Sequence, residues 1–194
     1  MKVIIATGNQ GKVREFKELL EPLGFEAVSM KDEGISADIV EDGETFEENA
    51  HIKAKAIYNI CHCPVIADDS GLEVEFLDSA PGIYSARYAG ENATDTERCE
   101  KILGEMQGVD MPLRRARFVC ALYFILDEKR EYCAKGVLNG YIGEELVGEG
   151  GFGYDPIFVL ENGKTVAELD ENEKNEISHR ANAMKNLVAE LRHI

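Results

Sequence analysis

The sequence lacks the features that mark membrane and secreted proteins. None of its apolar runs approaches the roughly 20 residues that a membrane-spanning helix needs. The opening residues 1–7 carry one cation and an apolar stretch that is too short for a signal peptide. We therefore expect a cytoplasmic protein with no membrane partner.

Positive charge is also scarce. The chain has 21 Lys and Arg residues against 37 Asp and Glu residues, which gives a formal net charge of −16. Binding to a nucleic-acid backbone or an anionic membrane requires a basic surface, so no nucleic-acid partner is expected. A small phosphate ligand stays compatible with this charge if a few cations are gathered locally or a metal ion assists.

Paired cysteines are missing as well. The five cysteines are odd in number and form no CxxC pair: Cys61, Cys63, Cys99, Cys120 and Cys133. The segment Cys61-His62-Cys63 looks like half of a metal site. A structural zinc site needs about four ligands, however, and no second Cys/His pair is present. Ordinary reduced thiols are the favoured interpretation.

What is present is the composition of a folded α/β protein. Apolar residues make up 44% of the chain and charged residues 30%. A length of 194 residues suffices for one domain, or for two lobes that share a core. No repeat, low-complexity tract or linker divides the sequence, so residues 1–194 are predicted to form a single domain.

Hydrophobic periodicity predicts alternating strands and helices. Strands are predicted at 2–6, 64–67, 116–126, 131–142 and 157–160, and helices at about 13–20, 46–61, 95–106 and 179–191. Capping boxes that begin at Thr45 and Thr94 mark two of the helix starts, and Ser178 is a candidate N-cap for the last helix. The long apolar strand 116–126 is expected to pair in antiparallel fashion with 131–142, which gives a mixed sheet.

A glycine-containing loop follows the first predicted strand. It comprises Thr7, Gly8, Asn9, Gln10, Gly11 and Lys12. Glycines let a ligand approach the backbone, free amides at a helix start favour phosphate, and Lys12 adds a mobile cation. The pattern is not a Walker A loop, because Val13 stands where that motif has Ser or Thr. The loop therefore predicts a phosphate site, with an ordinary βα turn as the alternative.

Two acidic segments are candidates for metal binding. Asp68 and Asp69 come at the end of an apolar strand and precede Ser70, where α/β sheets bind ligands. Mg²⁺ takes one or two carboxylates together with phosphate oxygens, and a neighbouring carboxylate can accept a proton from an attacking water. Glu41, in the acidic run 41–44, could complete such a site. The alternatives are a capped turn and a solvated acidic loop.

Two later segments suit the recognition of a flat base. Residues 150–156 place Phe152 among glycines for stacking, beside Asp155, which could read the edge of a base. Lys174, His179 and Arg180 gather near a predicted helix start, where cations oppose the helix dipole unless they have another partner. The alternatives are a glycine-rich turn with core aromatics and ordinary surface charge.

Taken together and in this order, these segments resemble the inosine triphosphate pyrophosphatase family. Six segments that span nearly the whole chain carry the resemblance: Thr7-Gly8-Asn9 with Lys12, Phe46-Glu47-Glu48-Asn49-Ala50 with Lys53-Ala54, Ala67-Asp68-Asp69-Ser70-Gly71-Leu72, Ala80-Pro81-Gly82-Ile83-Tyr84-Ser85-Ala86-Arg87-Tyr88, Gly151-Phe152-Gly153-Tyr154-Asp155-Pro156 and Ser178-His179-Arg180. Each motif alone is weak, whereas six in order are specific.

The resemblance implies a fold and a reaction. The fold is an elongated, two-lobed α/β structure with a central mixed sheet, flanking helices and a cleft between the lobes, assembled as a homodimer. The reaction is Mg²⁺-dependent attack of water at the α-phosphorus of inosine, deoxyinosine and xanthosine triphosphates. Its products are the monophosphate and pyrophosphate, and its purpose is to clear deaminated purines from the nucleotide pool.

The resemblance also implies a role for each candidate residue. The triphosphate would be held by Thr7, Gly8, Asn9, Gln10, Gly11, Lys12, Lys53 and Ser70. Glu41 and Asp69 would bind Mg²⁺, with Asp68 as a less certain ligand, and Asp69 would be the base for the attacking water. The base pocket would comprise Phe152, Gly153, Tyr154, Asp155, Lys174, His179 and Arg180. Arg180 would donate to the purine 6-oxo group, where the 6-amino group of adenine cannot accept.

Three alternatives stay open at this point. The chain could be a pyrophosphatase for other modified or pyrimidine nucleotides. It could be a nucleotide-binding regulator that has lost catalysis, although the intact Asp68-Asp69 pair argues against this. A nucleic-acid-binding module is the third, and the net charge of −16 disfavours it.

Overall fold

The protein is described here from a computed structural model, which covers residues 1–191. Its strands are β1 (Lys2–Ile5), β2 (Glu26–Ser29), β3 (Val65–Val74), β4 (Arg115–Asp127), β5 (Arg130–Ile142) and β6 (Phe158–Val159). They form one sheet in the order β2-β1-β3-β4-β5-β6. Strand β1 pairs in parallel with β2 and β3, and β5 pairs in antiparallel fashion with β6. The predicted mixed sheet of an α/β fold is confirmed.

The helices are α1 (Gln10–Leu20), α2 (Phe46–Cys61), α3 (Asp95–Glu105), α4 (Glu171–Ile177) and α5 (His179–Leu191). Thr94 and Glu97 form the predicted capping box. At α2, Thr45 caps the helix as predicted, but the Glu48 carboxylate accepts from the Glu44 N–H and not from Thr45. No helix within residues 1–191 is long and apolar enough to cross a membrane.

Two predictions of local structure are wrong. Strand β3 does not end before Asp68 but continues to Val74, because cations compensate the buried carboxylates and apolar residues follow them. Lys174 does not lie at the start of the last helix. It lies inside the separate helix α4, which Asp170 begins with a capping box of its own.

The chain divides into two compact units. Unit 1 contains residues 1–69, 120–136 and those from 180 onward, and unit 2 contains residues 70–119 and 137–179. Each unit has its own apolar core. Phe16, Ile66 and Leu122 lie in the core of unit 1, and Leu72, Ile102 and Phe158 lie in that of unit 2.

Candidate active site

The predicted phosphate loop is folded by its own polar side chains. In unit 1, the Thr7 hydroxyl accepts from the Asn9 N–H at 3.2 Å, and the Asn9 side chain accepts from the Lys12 N–H at 3.1 Å. Asn9 thereby caps α1, whose first residues are Gln10 and Gly11. The arrangement places a helix N-terminus directly behind the loop, as an anion site of this kind requires.

Asp68 is the most enclosed carboxylate of unit 1. Its residue is 1% exposed, and its Oδ2 lies 3.0 Å from both the Lys12 ammonium and Nη2 of Arg180. Burial by itself would raise the pKa of this carboxyl. The charges of Lys12, Arg180 and Lys53 outweigh burial and hold the pKa below its ordinary value. Asp68 therefore stays ionised and fixes the two cations closest to it.

Asp69 faces a different set of partners. Its Oδ2 accepts from the Asn49 amide at 3.2 Å, and its Oδ1 lies 3.4 Å from the Lys53 ammonium. The same ammonium donates to Glu41 Oε2 at 2.8 Å. Lys53 thus joins the two carboxylates that were predicted to bind a metal.

The pKa of Asp69 is raised above its ordinary value. Burial is the largest cause; the charges of Lys53 and Lys12 oppose it, and those of Asp68 and Glu41 add to it. Two adjacent aspartates therefore have pKa values displaced in opposite directions. Such a division is typical of sites in which one carboxylate orients the machinery and the other exchanges a proton.

The carboxylates fit a Mg²⁺ ion that phosphate oxygens help to hold. Within residues 1–191, no three Asp, Glu, His or Cys side chains converge as a ready metal cage. Asp68 Oδ1 is nevertheless buried and has no hydrogen-bond partner in the part of the chain that the structure describes, and Glu41 and Asp69 share one cation. Mg²⁺ ordinarily takes only one or two carboxylates and completes its shell with water and phosphate.

Arg180 is buried with the phosphate-side residues of unit 1. It is 1% exposed, forms ion pairs with Asp68 and Glu15, and lies 5.6 Å from the centre of the Phe16 ring. Its guanidinium is therefore positioned to orient Asp68. The expected contact with a purine 6-oxo group is not part of this arrangement and stays a prediction.

The predicted base-recognition loop of unit 2 is held by Asp155. The Asp155 Oδ2 accepts from the Phe152 N–H at 2.9 Å and from the Lys174 ammonium at 2.8 Å. That ammonium lies 4.4 Å from the centre of the Phe152 ring. The structure thus brings Phe152, Asp155 and Lys174 together. Asp155 was predicted to read the edge of a base, but in the structure its carboxylate binds the loop backbone and Lys174.

The remaining predicted residues have distinct surroundings. His179 stacks on Phe118 in unit 2, with 4.9 Å between the ring centres. Tyr154 is buried, and its hydroxyl donates to the Ser85 carbonyl at 2.7 Å, so it serves the core of unit 2. Ser70 is half-buried within β3.

The Asp155 carboxylate occupies the space that a side chain at residue 151 would need, so this position requires glycine. Gly151 has a φ of +74°, and a Cβ there would lie 2.1 Å from Asp155 Oδ2. Gly153 has a φ of +64°, but a Cβ there would meet nothing within 4 Å. Gly153→Ala should therefore cost only the conformational strain of about 1–2 kcal/mol. Gly151→Ala should cost about 1–3 kcal/mol more, since it also displaces Asp155.

Urea unfolding of the two variants measures this difference. Gly153→Ala serves as the matched control because it makes the same chemical change at a similar φ. Equal losses of stability would show that a side chain at residue 151 does not displace Asp155.

Comparison with known proteins identifies the relatives of this chain. The model of the Ham1 family matches residues 3–190. The chain belongs to the Ham1 family. The resemblance drawn from the six sequence motifs is thereby confirmed.

Curated members of the Ham1 family are similar to this chain over nearly their whole length. A dITP/XTP pyrophosphatase of Bacillus licheniformis is 51% identical, over 97% of this chain and 96% of the relative. One of Bacillus subtilis is 50% identical, over 96% and 94%. The solved structure of a HAM1 protein from Coxiella burnetii matches with a TM-score of 0.88 and 41% identity, over 100% of both chains.

Sequence reasoning missed two residues of this Ham1-family chain whose buried side chains hold nearby backbone, Asn49 in unit 1 and Ser85 in unit 2. Asn49 accepts the Gly43 N–H at 2.9 Å with its Oδ1, so its amide nitrogen must face Asp69. Ser85 accepts the Leu72 N–H at 2.9 Å and donates to the Gly82 carbonyl. Both stand inside motifs that carry the resemblance, but their partners lie at least three and as many as 20 positions away.

Proposed function

We propose that this Ham1-family chain hydrolyses non-standard purine nucleoside triphosphates to the monophosphate and pyrophosphate. The curated relatives at 50% and 51% identity are named dITP/XTP pyrophosphatases. The observation that carries the proposal is the placement of Asp69 in unit 1, where Asn49 and Lys53 hold it beside Glu41. That set of groups suits an attack of water on a polyphosphate.

The residues of unit 1 would bind the triphosphate. The amides at the start of α1, with Thr7 and Asn9, offer donors to phosphate oxygens. Lys12 and Lys53 would supply positive charge. Ser70, which follows Asp69 in β3, would supply a hydroxyl. A strongly acidic protein thereby concentrates its few cations where an anionic substrate needs them.

Glu41 and Asp69 would hold Mg²⁺, and Asp68 is the less certain third ligand. Bound there, the ion would neutralise charge on the triphosphate and on the departing pyrophosphate. Lys53, which lies between Glu41 and Asp69, would supply further positive charge to the phosphate oxygens.

Asp69 would accept the proton of the attacking water. A general base works best when its pKa lies nearer to the working pH, and burial raises the pKa of this carboxyl. The Asn49 amide keeps Oδ2 of the carboxylate in place, and Oδ1, 3.4 Å from the Lys53 ammonium, would exchange the proton. Water would attack the α-phosphorus, and the bond to the pyrophosphate oxygen would break.

The residues of unit 2, with Arg180, would recognise the base. Phe152 offers a face for stacking, beside the Lys174 ammonium, and His179 lies in the same unit. Donors such as Lys174 and Arg180 can satisfy a 6-oxo group but not the 6-amino group of adenine. A site that leaves a buried donor unpaired rejects the wrong base strongly.

Product analysis tests this proposal. Deoxyinosine, xanthosine, guanosine and adenosine triphosphates are incubated in parallel with enzyme and Mg²⁺, and pyrophosphate and orthophosphate are measured separately. We expect pyrophosphate and monophosphate from the first two substrates only, and no turnover in EDTA. Orthophosphate would instead mean cleavage at the γ-phosphorus, and binding without turnover would indicate a nucleotide-binding regulator.

We also propose that the protein is a cytoplasmic homodimer. The dimer comes with the family resemblance, and light scattering coupled to size exclusion tests it. A mass near the 21.5 kDa of one chain would contradict the dimer.

A further inference from the structure

Two side chains of helix α3 form hydrogen bonds with one residue of the base-recognition loop of unit 2. The Asp95 carboxylate, at the first position of α3, accepts the Gly153 N–H at 2.7 Å. The Cys99 thiol, one turn later, donates to the Gly153 carbonyl at 3.3 Å. Residues four apart share one face of a helix, so a single face of α3 holds both polar groups of Gly153.

These two contacts fix the backbone on either side of Gly153. Its N–H belongs to the peptide unit shared with Phe152, and its carbonyl belongs to the unit shared with Tyr154. Restraining both units fixes the φ and ψ of a residue that otherwise has wide conformational freedom. The Phe152 N–H is already held by Asp155. The two amides that flank the Phe152 side chain are therefore each bound by a carboxylate.

Other contacts within unit 2 hold Asp95 and Cys99 in place. Arg98 forms an ion pair with Asp95, and its Nη1 donates to the carbonyls of Ala93 and Ala86 at 2.6 and 2.9 Å. Cys99 is 1% exposed, and burial raises the pKa of its thiol to about 12, so the sulfur keeps its proton and acts as a donor. The pair Asp95 and Cys99 is therefore a prearranged acceptor and donor.

We propose that Asp95 and Cys99 are positioning residues that determine base selectivity. This inference rests on the proposed function, because it assigns the loop 151–155 to the base of the nucleotide. By fixing Gly153, the pair sets the direction in which the Phe152 ring is presented to a bound base. Within residues 1–191, the side-chain hydrogen bonds of the pair go to Arg98 and Gly153 and not to a residue predicted to hold the triphosphate. Its effect should therefore be confined to the base.

Kinetics and binding of Asp95→Ala test the proposal. We expect KM for deoxyinosine triphosphate to rise about tenfold, as for a lost hydrogen bond that acts on binding, with kcat changed less than about threefold. Affinity for inosine monophosphate should fall by a similar factor, whereas inhibition by inorganic tripolyphosphate should stay unchanged. The ratio of kcat/KM for deoxyinosine triphosphate to kcat/KM for adenosine triphosphate should fall.

Matched variants separate positioning from a loss of helix stability. Glu97→Ala removes the capping box of α3 without touching Gly153, and it should leave selectivity as in the wild type. Asp95→Asn retains an acceptor for the Gly153 N–H and should recover most of the affinity for inosine monophosphate. Cys99→Ala should show a smaller change than Asp95→Ala, because a thiol is a weak donor.

Hydrogen exchange of the peptide that spans 150–156 gives a readout apart from activity. It should accelerate in Asp95→Ala and stay as in the wild type in Glu97→Ala. If Asp95→Ala is active and keeps both the base selectivity and the loop hydrogen exchange of the wild type, this inference is overturned and the proposed function is not. A wild-type protein that cleaves none of the nucleotides would overturn the proposed function, and the assignment of Asp95 to base selection with it.

Discussion

Asp69→Asn is expected to lower kcat by about 10²–10⁴-fold, the range for a lost general base, while the fold persists. The replacement keeps the size of the side chain but removes its charge. Whichever way the new amide is turned, its NH₂ group meets a donor, since Asn49 lies on one side of the carboxylate and Lys53 on the other. The variant therefore loses the proton acceptor and one candidate ligand for Mg²⁺ together.

Stability should not fall with activity in this variant. A carboxyl whose pKa is raised on folding disfavours its own ionised form, so at neutral pH the charge of Asp69 opposes folding. Without added metal, relief of this charge should offset the donor that the new amide leaves facing Asn49 or Lys53, so the midpoint of thermal unfolding should stay near that of the wild type. Asp32→Asn is the matched control, because Asp32 also pairs with a lysine in unit 1, Lys17, and it should retain full activity. Near-normal turnover in Asp69→Asn would remove Asp69 from both of its proposed roles.

Much of the fold was predictable because its signals are local. The apolar run of β4 and the threonine caps of α2 and α3 are each contained within a dozen or so residues. Helix α4 was missed because it has only seven residues, of which six are Glu, Lys or Asn, and it buries little apolar surface. Short polar helices of this kind depend on capping, which here comes from Asp170 and Glu173.

The continuation of β3 through Asp68 and Asp69 could not be read from nearby residues. Two adjacent acids ordinarily end a buried strand, because an unpaired buried charge is costly. The cations that offset this cost come from positions 12, 53 and 180, which sequence spacing does not connect. Candidate site residues could therefore be named from motifs, whereas their pairing required the structure.

Arg180 gives the clearest example of such pairing. The sequence places it beside His179 as a candidate for the base, but in the structure its guanidinium binds Asp68 and a residue 165 positions away, Glu15. A buried acid on the first helix has no sequence signal that points to the last helix. Arg180 therefore positions Asp68 in unit 1, and this pairing makes Arg180 a determinant of stability.

Arg180→Ala is accordingly expected to destabilise unit 1 by about 3–5 kcal/mol, the cost of removing one partner from a buried ion pair. It would leave Glu15 and Asp68 facing each other's charge with Lys12 as the remaining cation beside Asp68. Urea unfolding at neutral pH measures the loss. The matched control is Arg130→Ala, which removes an exposed arginine paired with Asp127 and should leave the stability almost unchanged, because water screens an exposed ion pair.

The pH dependence of the same measurement separates lost charge pairing from lost packing. The pKa of Asp68 is lowered on folding, so its pairing stabilises the protein above the ordinary pKa of an aspartate, and this contribution disappears as the pH falls. In Arg180→Ala the Asp68 carboxyl loses one of its cations and should take up a proton more readily, which relieves part of the penalty. The difference in stability between wild type and variant should therefore shrink in acid. A difference that stays constant with pH would mean that the guanidinium acts by filling space against Phe16, and the ion pairs would lose their assigned part in holding Asp68.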